Sequence, residues 1–258
     1  MKINELKESC IAVENVYLDK EAVKTEEKSI FESNFDFSDK EILVTGNTMA
    51  GISLWLAKQW NCRVTGIDSD YNKIEIGEIV KTKHKTRNVK FEQRDVLLQP
   101  ITEKYDYIII NDLVEGLPLQ IFEALLRKLS NALKPNGSVI IEFKPKRSRK
   151  PDHDKSGIWN RTKSIFHLNA HSTQNQTEDF SDQYTQLDQD KIMIISRRSG
   201  LKLSKRITRS SLDQFAIFRN ANLSRGIFKP FVTKEYLVVS KKEVAVQKQV
   251  KRRIAAVI

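Results

Sequence analysis

The sequence predicts an α/β domain: a largely parallel sheet with helices on both faces. Three observations carry this. Short apolar runs, EILVT at 41–45, RVTGI at 63–67, YDYIII at 105–110 and SVIIEF at 138–143, alternate with amphipathic stretches. YDYIII is apolar almost throughout, as expected for a parallel strand buried on both faces. A small-residue turn, GNTMAG, directly follows the first run, and an acid, Asp68, directly follows the second. Strand, tight turn, helix, strand, acid is the first half of a nucleotide-binding unit.

The elements follow in order. Residues 1–38 are polar and charged with sparse apolar positions, Leu6, Ile11, Val13, Val16 and Tyr17. They predict one or two helices against the sheet edge, with Phe31, Phe35 and Phe37 packing under the first strand. The apolar face of Ile52, Leu54, Trp55, Leu56 and Ala57 predicts a helix to about Trp60. Residues 72–84 read as a second helix, weakened by Gly77. Val89–Gln93 reads as a third strand, followed by Arg94 and Asp95. Asn111 and Asp112 stand at the end of the fourth strand. The stripe Ile121, Phe122, Leu125, Leu126, Leu129, Leu133 has the helical period, with Pro118 in its first turn and KPNG, 134–137, as its stop. Strand five is then Ser138–Phe143.

After Phe143 the character changes. KPKRSRK, 144–150, is a basic run, and 151–190 is rich in Asn, Gln, Asp, Ser and Thr. A long polar stretch inside a domain predicts a mobile insertion, here with a short helix near 156–168. Order returns at Lys191, with a helix to about Gly200. Strand six is Leu201–Ile207 and strand seven Tyr236–Ser240, joined by 28 residues, 208–235. The expected organisation is an N-terminal extension, 1–38, a domain over 39–240 with the insertion at about 144–190, and a basic tail, 241–258.

Composition narrows the classes. Cys10 and Cys62 match no metal-ligand spacing and form no disulfide framework, which points to a reducing compartment. No metal site is expected. There is no apolar run of signal-peptide or membrane-span length, so a cytoplasmic protein is expected. Charge is uneven. Residues 1–143 hold 19 Lys+Arg against 23 Asp+Glu, and residues 144–258 hold 25 against 10. The basic half suggests an anionic partner, either a small molecule or nucleic acid, though no named nucleic-acid module accompanies it. His153, His167 and His171 lie in the polar insertion and read as solvated.

The order of elements and several motifs resemble a class I S-adenosylmethionine-dependent methyltransferase, over roughly residues 36–240. That family has a Rossmann-like seven-stranded sheet whose final strand is antiparallel and inserted beside strand five. Its first motif, apolar-Leu-Asp-x-Gly-x-Gly-x-Gly, aligns without a gap on Ile42 to Ala50. Gly46 is kept. Val44 replaces the acid, and Thr48 and Ala50 replace the second and third glycines. VTGIDSD, the acid Asp95, the run YDYIIINDLVEGLP and the turn LSNALKPNGSVIIEF resemble later motifs, with Asn136 in place of a glycine. The resemblance implies S-adenosyl-L-methionine as cofactor. It also implies a cofactor-binding set of Thr45, Gly46, Asn47, Gly51, Asp68, Ser69, Asp95, Val96 and Asn111. Asn111 and Asp112 are the catalytic candidates. Asp68 would take the ribose hydroxyls and Asp95 the adenine amino group.

Each residue also has a plainer reading. Asp68 could cap the following helix, and Asp95, Asn111 and Asp112 could shape turns. A methyltransferase-fold protein with a degenerate loop, kept as a binding or scaffolding module, is the runner-up. A nicotinamide-binding Rossmann domain would need a G-x-G-x-x-G turn, which is absent.

Overall fold

A computed structural model describes residues 2–18, 22–46, 50–111, 113–114, 117–143, 189–210 and 232–241. The predicted insertion and its helix, its histidines, most of the connection between the last two strands, the tail, and the site candidates Asn47 and Asp112 lie outside these residues.

Seven strands form one sheet: β1 Glu41–Thr45, β2 Arg63–Asp68, β3 Val89–Gln93, β4 Tyr105–Ile110, β5 Leu133–Phe143, β6 Leu201–Ser210 and β7 Val232–Lys241. Their order is β3-β2-β1-β4-β5-β7-β6. The first five are parallel, β7 is antiparallel to β5, and β6 is antiparallel to β7. This is the expected sheet, with strand seven inserted beside strand five. The last two strands are longer than their apolar centres, because edge residues pair through backbone whatever their side chains.

Six helices are described: α1 Ile3–Tyr17, α2 Ala22–Asn34, α3 Ala50–Trp60, α4 Tyr71–Lys83, α5 Leu119–Ala132 and α6 Gln189–Arg198. Alternation along each strand divides the core. Leu43, Ile108, Ile110, Val139 and Ile141 face Phe122, Leu125 and Leu129 of α5 and Ile192 and Ile195 of α6. Ile42, Val44, Ile109, Ile140 and Val238 face α2 and α3. Both faces are covered, so the strands read as continuous apolar runs.

α1 packs on α3 and α4 rather than at the sheet edge, burying Val16 and Tyr17. Glu14 of α1 accepts from Lys83 Nζ (2.8 Å) and pairs with His84 Nε2 (2.7 Å), tying α1 to the end of α4. Phe31, Phe35 and Phe37 do pack under the sheet. Phe37 meets Tyr107 edge-on at 4.9 Å and Trp60 at 5.1 Å, while Phe31 meets Tyr236 at 6.2 Å. Edge-on pairs of this kind add specificity beyond the apolar area they bury.

KPNG departs from the expectation. Helix α5 stops at Ala132, and the strand begins at Leu133. Leu133 pairs with Tyr105, but Ser138 pairs with Tyr107, so residues 134–137 bulge out of the ladder. The Pro and Gly distort a strand that has already started instead of merely closing the helix.

Candidate cofactor site

The C-terminal ends of β3, β2, β1 and β4 stand side by side. From β1 the chain winds outward to β2 and β3, then returns to β4 on the other side. That reversal leaves a crevice at the carboxyl ends of β1 and β4, where ligands of open α/β sheets bind.

Gly46 opens this crevice. Its φ is +78°, and a Cβ there would overlap the Asn111 carbonyl oxygen. Its N–H donates to Ile67 O (3.2 Å), and Asn111 N–H donates to Thr45 O (3.2 Å). Three strand ends are thereby laced together just where the turn departs. Asn111 is 2% exposed. Thr45 is fully buried, its hydroxyl donating to Ile109 O (3.3 Å).

Asp68 ends β2 and is 8% exposed. Its Oδ1 accepts from Asp70 N–H (2.8 Å), and Lys73 Nζ lies 3.4 Å from Oδ2. Asp68 is not the helix cap. The cap of α4 is Asp70, whose side chain accepts from Asn72 N–H (3.0 Å). The two acids divide the work: Asp70 caps the helix, and Asp68, at the end of β2, is held by the Asp70 N–H. Ser69 follows, its carbonyl accepting from Gln93 Nε2 (3.3 Å).

Asp95 lies one residue beyond Arg94, whose N–H donates to Asp68 O (2.8 Å). Asp95 does build a turn: Oδ1 accepts from Leu97 N–H (2.9 Å), and its carbonyl from Leu98 and Gln99. The turn engages one carboxylate oxygen, so the turn reading and a ligand role for Oδ2 are compatible. Val96 is buried in the core beneath.

Three positions differ from what the motif suggests. Val44, in β1, and Ala50, the first residue of α3, are both buried in the apolar layer between the sheet and α3. Gly51 lies within α3, and a Cβ there would run into Val16 of α1. The structure gives Gly51 a helix-packing role. Lys73 and Lys128 were missed by sequence reading. Lys128 Nζ reaches three carbonyls of the 95–99 turn, and a partner set made of distant backbone leaves no trace in a motif. Among the described residues no group of His, Cys, Asp and Glu could hold a metal ion.

Residues 13–199 match the family described as Methyltransferase domain. The chain belongs to that family. This methyltransferase-domain protein is 24% identical over 111 residues to an uncharacterized protein of Haemophilus influenzae, a match spanning 42% of this chain and 44% of that one. Its fold is shared with coclaurine N-methyltransferase bound to N-methylheliamine and SAH (TM-score 0.58, 15% identity, 85% of this chain and 70% of that one). It is shared too with magnesium protoporphyrin IX methyltransferase of Synechocystis PCC 6803 with bound SAH (0.55, 15%, 85% and 82%). The [4+2]-cyclase SpnF has the same fold (0.57, 13%, 85% and 81%). No helix among the described residues is long and apolar enough to cross a membrane.

Proposed function

We propose that the protein binds S-adenosyl-L-methionine across the ends of β1–β4 and transfers its methyl group to an anionic acceptor. The observation that carries this is Asp68, a carboxylate buried at the end of β2 and positioned by Asp70 N–H beside the Gly46–Asn111 crossing. A fixed carboxylate there suits the vicinal hydroxyls of a ribose. The residues fit an adenosine: Asp68 for the sugar, Asp95 and Val96 for the base, and the Thr45–Gly46 backbone at the centre. The cofactor would supply an electrophilic methyl on a sulfonium. The chain's part is orientation and exclusion of water, with Asn111 at the floor of the crevice. The acceptor's charge is argued from the basic residues at 144–150 and 208–234, in the two long connections within the domain.

A second reading, ligand binding without methyl transfer, is favoured by Val44, which is apolar and buried where the family's motif carries an acid. Calorimetry with S-adenosylhomocysteine followed by a labelled-methyl assay separates them. Wild type should bind, and Asp68→Ala should weaken binding by about tenfold to a hundredfold, the loss of hydrogen bonds to a charged acceptor. No heat from wild type at millimolar ligand would overturn the proposal. Nucleic acid as the acceptor requires binding that falls steeply with salt.

A further inference from the structure

Residues 94–104, which join β3 to β4, contain no helix. A segment without a helical ladder must find other partners for its carbonyls. Three of them converge on one side chain. Lys128 Nζ, from α5, donates to Val96 O at 2.9 Å, Leu97 O at 2.7 Å and Gln99 O at 3.2 Å. An ammonium has three N–H bonds, and all three are used. Burial lowers the Lys128 pKa, while the charge of Asp95 acts the other way.

The same turn is gripped from within by Asp95. Its Oδ1 takes Leu97 N–H at 2.9 Å, and its carbonyl takes Leu98 N–H at 3.2 Å and Gln99 N–H at 2.8 Å. Three peptide planes are therefore turned with their carbonyls toward α5. Val96 and its apolar neighbours already seat the turn on the core. What the lysine adds is orientation: a charge on three carbonyls fixes how the backbone and Asp95 are presented beside Asp68.

We propose that Lys128 is a positioning residue for purine recognition, holding the 95–99 turn so that Asp95 reads an exocyclic amino group on the ring. The inference rests on the proposed adenosine site and deepens it. The test is calorimetry on the full chain with two ligands that differ at that group, S-adenosylhomocysteine and S-inosylhomocysteine. Wild type should prefer the adenine compound by about tenfold or more, as a site built around one hydrogen bond does. Lys128→Met should weaken S-adenosylhomocysteine by about tenfold and S-inosylhomocysteine by less than about threefold, so that the preference collapses.

A purely structural lysine would weaken both ligands by the same factor, and that result overturns the proposal. So does a preference that survives the substitution, or a wild type that does not discriminate. If Lys128→Met does not unfold cooperatively, Lys128→Gln, which keeps a donor and most of the stem, carries the same comparison. Failure of wild type to bind either ligand removes the cofactor proposal itself. Binding with an unaltered preference in the variant removes only the role of Lys128.

Discussion

The turn leaving β1 and the bulge early in β5 meet similar demands in different ways. Both resemble glycine-rich turns, and in both a glycine has been replaced. At Gly46 two requirements fall on one residue: φ is +78°, and a Cβ would overlap Asn111 O. At the β5 bulge they are divided. Asn136 carries the positive φ, 66°, while Gly137 carries the shortage of space. A Cβ on Gly137 would lie 3.0 Å from the carbonyl oxygens of Lys134 and Tyr105 and 3.1 Å from that of Asp106. Asparagine tolerates the left-handed region, so the sign of φ can be met without glycine, whereas space cannot. A lost motif glycine therefore means little until the requirement at that position is known.

The comparison can be broken in four places. Gly46→Ala should have the largest effect. It combines a strained φ with an overlap on backbone, so about 3 kcal/mol or more of stability should be lost, together with binding of S-adenosylhomocysteine. A variant that keeps both would show that the two requirements are not coupled there. Gly137→Ala should cost less, about 1–2 kcal/mol by denaturant unfolding, because the neighbours need give only a few tenths of an ångström. Equal losses at the two glycines would erase the distinction.

Asp106 fastens the same bulge. It accepts from Lys134 Nζ (2.8 Å) and Glu41 N–H (2.9 Å), linking β5 and β1 to the start of β4. Burial alone would raise its pKa, but the Lys134 ammonium and the Glu41 N–H outweigh it and hold the pKa below the usual value. Because the folded pKa is the lower one, this stabilisation is full above the ordinary carboxylate range and disappears as pH falls through the folded value. Asp106→Asn should cost about 1 kcal/mol at pH 7. The gap to wild type should narrow below about pH 4, where unfolding curves should converge. A gap independent of pH would show that the bulge is held by shape alone. Asn136→Gly should be smallest, within about 0.5 kcal/mol, since both residues accept the backbone sign. A larger loss would assign the Asn136 side chain a role of its own.

The strands bordering the crevice were legible almost residue by residue. EILVT and YDYIII are bounded as read because their apolar centres are buried and a polar cluster ends each, and VKFEQ because, at the sheet edge, apolar and exposed positions alternate until the polar turn. The β5 boundary was not legible. KPNG has the composition of a helix stop, and only pairing of Leu133 with Tyr105 makes it part of a strand. The place of α1 was missed for a similar reason. Val16 and Tyr17 show that the helix buries something, but not that it meets Gly51 of α3.

At the site, Asp68 was legible from its position after β2, and its rival role as a cap was settled by one hydrogen bond to Asp70. Lys128 was invisible, since its partners are backbone carbonyls about thirty residues away.

By itself the sequence determined the layer order, the sheet and the acid after the second strand, since periodicity and turn chemistry are local and survive in one dimension. The tertiary structure decided which glycine lacks room, which acid caps the helix and which is held at the end of β2, and where a lone ammonium goes. Each depends on the distance between atoms far apart in the chain. GNTMAG shows the boundary between the two: its spelling departs from the family at two motif glycines, Thr48 and Ala50, yet at Gly46, where φ and space are both constrained, it does not.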